Sequence, residues 1–246
     1  MAKPKSHTLF HFTSNLDILK SILSTGLQPR YAVEDLSWLT GKAKLVAYPM
    51  ICFCDIPLGR IENHVDSYGS YGIGMSKEWA IRNQLNPVIY LSDQSLLRDK
   101  VENLFTYVKE HTSPSEDEAK AARWDVLRLL QYVKPLEGTM MLKGAEVHAE
   151  FYQESEWRYV LQKKEIDHLL WGPFDDPTVR NAANETTKGH ELKFNPDDIR
   201  YLFVAKDADI PPLVDFINTE LDDFKAGEMK ILLSRIVSLE SLAHDL

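Results

Sequence analysis

Cysteine is scarce in this chain, with only Cys52 and Cys54 among 246 residues. Two positions apart, they are too close for an ordinary structural disulfide, and a secreted disulfide framework needs more of them. No apolar run approaches the roughly eighteen residues that suggest a membrane-spanning helix. Nor does an apolar stretch of signal-peptide length follow the start, Met1-Ala-Lys-Pro-Lys-Ser-His7. These absences predict a reducing, cytoplasmic setting without a membrane. Basic charge is short as well: 28 Lys and Arg face 37 Asp and Glu, a formal net charge of -9. Tight sequence-independent binding of nucleic acid draws on a basic surface, so that class is disfavoured. Neither the Walker pattern nor the dinucleotide Gly-x-Gly-x-x-Gly pattern occurs. Cys52, Cys54 and the nearby His64 fall short of a four-ligand zinc site, and buried free thiols are the expected state of the pair.

The composition that remains, 44% apolar and 26% charged, is that of a globular protein. It predicts one domain over 1–246. Thr8 to Phe12 reads as a strand, followed by a helix from Leu16 to Leu23, with caps available from Thr13, Ser14 or Asn15 and a closing Gly26. Residues 28–49 read as loop, 50–56 as a strand, and 68–75 as a glycine-rich entry to a strand. Ser76 caps a short helix, and 87–91 is again apolar and extended. Amphipathic helices are expected at 94–111 and 117–133, forming a hairpin inserted at about 94–135, with the polar linker 112–118 mobile. Apolar spacing within 124–133 fits either core packing or a partner-binding face. Strands follow at 146–153, 156–161 and 199–205, then a helix at 212–224 and a strand at 229–237, while 164–193 is turn-rich. Strands and helices mix without strict βαβ alternation, which favours α+β.

Three segments could carry chemistry. In Phe10-His11-Phe12, strand alternation turns the two rings to the core and the imidazole, on the opposite face, to a cleft. In Tyr68-Gly-Ser-Tyr-Gly-Ile-Gly74, glycines at 69, 72 and 74 permit either a bulge or close approach of a flat ligand. In Glu154-Ser-Glu156-Trp-Arg158, two carboxylates on one strand face would perturb each other's ionisation, unless they are a solvated pair balanced by Arg158.

Their order, together with Leu9-Phe-His-Phe-Thr-Ser14, Met50-Ile-Cys-Phe-Cys-Asp-Ile-Pro57, Tyr68–Trp79, Asn86-Pro-Val88 and Glu156-Trp-Arg158, resembles the AbiGi abortive phage-resistance family. It also resembles the His-Tyr-Glu branch of the ADP-ribosyltransferase superfamily. That resemblance implies a split β-sheet core with peripheral helices and NAD as substrate. Glu156 would stabilise the oxocarbenium-like ribose, and Glu154 would orient or deprotonate the acceptor. His11, with Thr13 nearby, would hold a ribose. Tyr68 or Tyr71 would stack on the nicotinamide, over the backbone at Gly72.

Two functions compete. One is an NAD-dependent ADP-ribosyltransferase toxin acting on a macromolecule, RNA or DNA before protein, and held by an antitoxin partner. The other is a catalytically silent antitoxin or sensor that binds a protein through its helical hairpin. The complete His, Tyr and Glu set favours the enzyme.

Overall fold

The structure, a computed structural model, describes residues 6–41, 45–111, 117–142, 145–163, 165–166, 169–170, 174–221 and 224–243. The first third runs β1 (Thr8–Thr13), α1 (Leu16–Thr25), β2 (Arg30–Asp35), α2 (Ser37–Thr40), β3 (Leu45–Cys54), α3 (Glu62–Tyr68), β4 (Tyr71–Ser76) and α4 (Lys77–Arg82). The middle holds β5 (Asn86–Pro87), β6 (Ile89–Leu91), α5 (Leu96–His111), α6 (Asp117–Leu130), β7 (Val133–Pro135), β8 (Gly138–Leu142), β9 (Ala145–Ala149) and β10 (Glu156–Val160). The remainder is β11 (Leu169–Leu170), α7 (Pro177–Thr186), β12 (Ile199–Val204), α8 (Ile210–Glu220), α9 (Ala226–Leu233), β13 (Ile236–Ser238) and α10 (Leu239–Leu242). The class is α+β.

The main sheet has the order β13-β12-β4-β1-β3-β10-β5, with β2 and β11 also on β3. Registers show how one strand serves four neighbours. β10 and β2 both pair with Met50, so they lie on opposite edges; β1 and β10 both pair with Cys54. β1 and β2 therefore share one edge of β3, while β10 and β11 share the other. On the first edge β1 pairs only at Phe10↔Cys54 before the strands part. A separate parallel ribbon joins β6 to β7.

Alternation divides the core between the two faces. Leu9, Ile51, Phe53, Ile73, Met75 and Leu202 pack with Trp79, α1 and α8 on one face. Phe10, Phe12, Cys54 and Phe203 pack with Ile56 and Ile61 on the other. Asn15 caps α1 by accepting from the Ile18 N–H, and Gly26 closes it with φ 90°. Ser76 caps α4 through the Trp79 N–H.

Four segments differ from expectation. Residues 28–49 hold β2, α2 and half of β3. Here β2 is partly exposed throughout and shows no clean alternation, and Pro49 reads as a breaker although its carbonyl still accepts from the Leu161 N–H. The turn-rich 164–193 contains α7, opened by the Asp176 cap and Pro177. Within 146–153, strand β9 ends at Ala149 and a 3-10 turn covers Phe151–Glu154. The expected strand at 229–237 is mostly α9, because a short apolar run has no period that separates helix from strand. The helices expected between 94 and 133 are α5 and α6. The linker said to be mobile lies outside the described residues, except Asp117 and Glu118 at the start of α6.

Candidate functional site

Glu156 opens β10 and is 5% exposed; Arg158, two residues on and on the same face, is 1% exposed. The guanidinium grips the carboxylate at both oxygens, Nε to Oε1 at 2.6 Å and Nη2 to Oε2 at 3.0 Å. It also reaches Glu34 of β2 at 2.7 Å and the Gln131 carbonyl beyond α6 at 2.7 Å. Lys134 of β7 adds a second cation, 3.1 Å from Glu156 and 3.6 Å from Glu34, with its Nζ 4.6 Å from the Phe151 ring centroid. Two acids and two bases thus neutralise one another below the surface, the arrangement that buried charge requires. Burial pushes the Glu156 carboxyl upward, but Lys134 and Arg158 outweigh it and hold the group well below the usual range. Its charge is committed to these cations.

Glu154 is not on the strand. It ends the 3-10 turn, and Ser155 at φ 45° takes the left-handed conformation, so the two carboxylates do not share a strand face. Glu154 accepts from the Tyr68 hydroxyl at 2.7 Å, and burial raises its pKa. The Tyr68 ring packs at a tilt against His64, centroids 4.4 Å apart, and His64 lies against Phe12. Tyr68, His64, Glu154 and Glu156 therefore form one neighbourhood, on the face of Phe12 and Cys54.

His11 takes the other face, beside Phe53 with ring centroids 5.5 Å apart. Its Nδ1 bonds the Cys52 carbonyl at 2.8 Å, filling the gap where β1 leaves β3. Burial lowers its pKa. Tyr71 also lies on this side, half-buried against the core of Ile73 and Met75, and donates to Asp209 at 3.0 Å. Thr13 is its backbone partner across β1 and β4. At Gly72, a Cβ would stand 2.7 Å from Cδ1 of Phe12 and 2.9 Å from the His11 carbonyl oxygen. The glycine thus admits the ring of Phe12. So the structure joins Tyr68 with the two glutamates and sets Tyr71 and His11 on the opposite face. Cys52 lies between, its carbonyl on His11 and its thiol beside Glu156. Burial raises both thiols, leaving free, protonated cysteines. No metal-binding group of three ligands exists among the described residues.

Three participants escaped the sequence: Glu34 sits in a segment read as loop, and Lys134 and Tyr90, whose hydroxyl accepts from the Glu156 N–H at 2.8 Å, lie on a ribbon paired across some forty residues. Only Arg158 was visible, as the obvious balance for Glu156.

A different feature stands out on the hairpin. Ile89 and Leu91 of β6, Val133 of β7, Leu97, Val101 and Leu104 of α5, and Val126, Leu129 and Leu130 of α6 line an apolar groove of about 120 Å³. Several of these are open to solvent, Leu97 at 53% and Leu129 at 55%. No helix among the described residues is long and apolar enough to cross a membrane.

Comparison with known proteins follows the same direction. The family described as "Putative abortive phage resistance protein AbiGi, antitoxin" matches residues 25–205. The abortive phage resistance protein AbiGi of Lactococcus lactis subsp. cremoris is 28% identical, over 88% of this chain and 98% of its own length. No solved structure matches. The antitoxin description overturns the expectation of an NAD-dependent ADP-ribosyltransferase toxin that modifies nucleic acid. The geometry gives a physical reason: the carboxylate expected to face a developing cation is already neutralised by Arg158 and Lys134. With the family match covering well over half its length, the chain belongs to the AbiGi family.

Proposed function

We propose that this protein is the neutralising component of an abortive-infection system and acts by binding a toxin protein through its helical hairpin. The observation that carries the reading is the groove between α5, α6 and the β6–β7 ribbon, with exposed leucines along its rim. Contiguous apolar side chains left in water commonly mark a protein interface. Seven basic and seven acidic residues balance across 94–135, so the whole charge of -9 belongs to the rest of the chain. A neutral, apolar surface on an acidic protein favours contact by burial rather than by long-range charge. The free volume approaches the ~150 Å³ apolar cavity that accepts a benzene ring, enough for one large side chain of the partner. The gap filled by His11 supports viewing the sheet as an ADP-ribosyltransferase-like split core that serves as scaffold without the chemistry.

Co-expression with the toxin tests this. Wild type should restore growth and co-purify with the toxin. Leu97→Asp with Leu129→Asp should weaken binding at least roughly thirtyfold, as loss of hot-spot contacts does, while circular dichroism stays unchanged. Rescue by the double variant at wild-type level would refute the hairpin as the contact.

A further inference from the structure

We infer that Glu156 is the positioning residue of the hairpin groove, holding the polar back of the β6–β7 ribbon whose apolar front is the groove floor. The inference rests on the docking reading for its meaning, and its geometry is independent of it. Side chains alternate along each strand of the ribbon. Ile89 and Val133 are register partners and both line the groove, as does Leu91. Tyr90 and Lys134 are the next register pair, absent from the lining and turned instead toward Glu156.

Glu156 meets both strands of the ribbon. Its N–H donates to the Tyr90 hydroxyl at 2.8 Å, and its carboxylate takes Lys134 at 3.1 Å. Its carbonyl accepts from the Val88 N–H at 2.8 Å, directly before β6. Arg158, clamped to the same carboxylate, holds the Gln131 carbonyl just beyond α6. One residue thereby fixes β6, β7 and the end of α6 against the main sheet. Such an anchor is needed, because an isolated two-stranded ribbon is marginal in water. Glu34 completes the charge balance through ion pairs with the Arg158 and Lys134 side chains.

Native-state hydrogen exchange resolved by peptide tests the assignment without any partner. The variants are Glu156→Gln and Tyr90→Phe, and the control is Leu213→Ala, which opens a cavity in the opposite core under α8. At matched global stability, tuned with urea, the first two should speed exchange in 89–91, 96–111 and 117–135 by about tenfold over the control, reflecting local opening. Peptides of β1, β4 and β12 should match the control. Lys134→Met should follow Glu156→Gln, and Lys134→Arg should restore protection. Should Glu156→Gln fail to fold, Tyr90→Phe decides alone. Superimposable exchange profiles for the variants and the control overturn the inference. A toxin that fails to bind would refute the docking reading and leave the exchange result standing.

Discussion

Replacing Glu156 by glutamine keeps the size of the side chain and removes its charge. Were this a carboxylate held ready for chemistry, its removal would cost little stability. The structure requires the reverse. Arg158 loses a two-point ion pair at 2.6 and 3.0 Å, and Lys134 loses its nearer partner at 3.1 Å. Among the described residues, Glu34 is then the one acid still in ion-pair contact with the two cations. Arg158 is 1% exposed and cannot turn to water. Breaking a buried pair by removing one member costs about 3–5 kcal/mol, because the remaining charge stays uncompensated. For a domain of this length that corresponds to roughly 6–20 °C in Tm. Urea denaturation followed by fluorescence, with differential scanning calorimetry alongside, measures both quantities. The loss should persist in 0.5 M salt, since a cluster shielded from solvent is poorly screened. Replacing Glu156, Arg158, Glu34 and Lys134 together by apolar residues of similar volume should recover most of it. A loss under about 1 kcal/mol for Glu156→Gln, typical of exposed pairs, would refute the structural role.

Two further outcomes follow from the same face of the sheet. Burial, then the proximity of His11, holds His64 down to about 4, below the ordinary 6.5. The imidazole is thus neutral in the fold, and its contribution is complete above pH 6.5 and lost as pH falls from there through about 4. Wild type should lose on the order of 2–3 kcal/mol more than His64→Phe across that window, measured by urea titration at each pH; parallel pH profiles would contradict it. Gly72→Ala places a Cβ 2.7 Å from the Phe12 ring and 2.9 Å from the immovable His11 carbonyl. Overpacking should cost about 1–3 kcal/mol in the same assay, and a neutral or stabilising result would mean that the strand gives way.

What could be read from residue order was local. Asn15, Gly26 and Ser76 punctuate helices through bonds to near neighbours, and those signals lie within four residues of their partners. The pattern of Phe10, His11 and Phe12 likewise anticipated opposite faces, since alternation is a property of one strand. Sheet register is not local. Whether His11 and Glu156 share a face depends on Phe10↔Cys54 and Glu156↔Cys54, pairings made across 44 and 102 positions. The two glutamates were separated by one left-handed residue, Ser155, which nothing in its side chain demands. The matching stretches, among them Met50–Pro57 and Tyr68–Trp79, therefore carried the AbiGi family correctly, while the order of His, Tyr and Glu led to a chemistry that the family description overturns. The charge on the glutamate is spent on Arg158 and Lys134.

The crowding of four strands around β3 also has a consequence in time. β1 and β2 leave the ribosome close to β3, but β10 follows it by roughly a hundred residues, or roughly 5–20 s at ordinary rates of synthesis. Until then one edge of β3 has no hydrogen-bonding partner, an exposure that invites association with other chains. Both hairpin helices emerge during this same interval, before Glu156 has been made. Newly begun chains accordingly present leucine-rich helices ahead of the scaffold that orients them. A finished molecule therefore lags the start of its own translation by seconds.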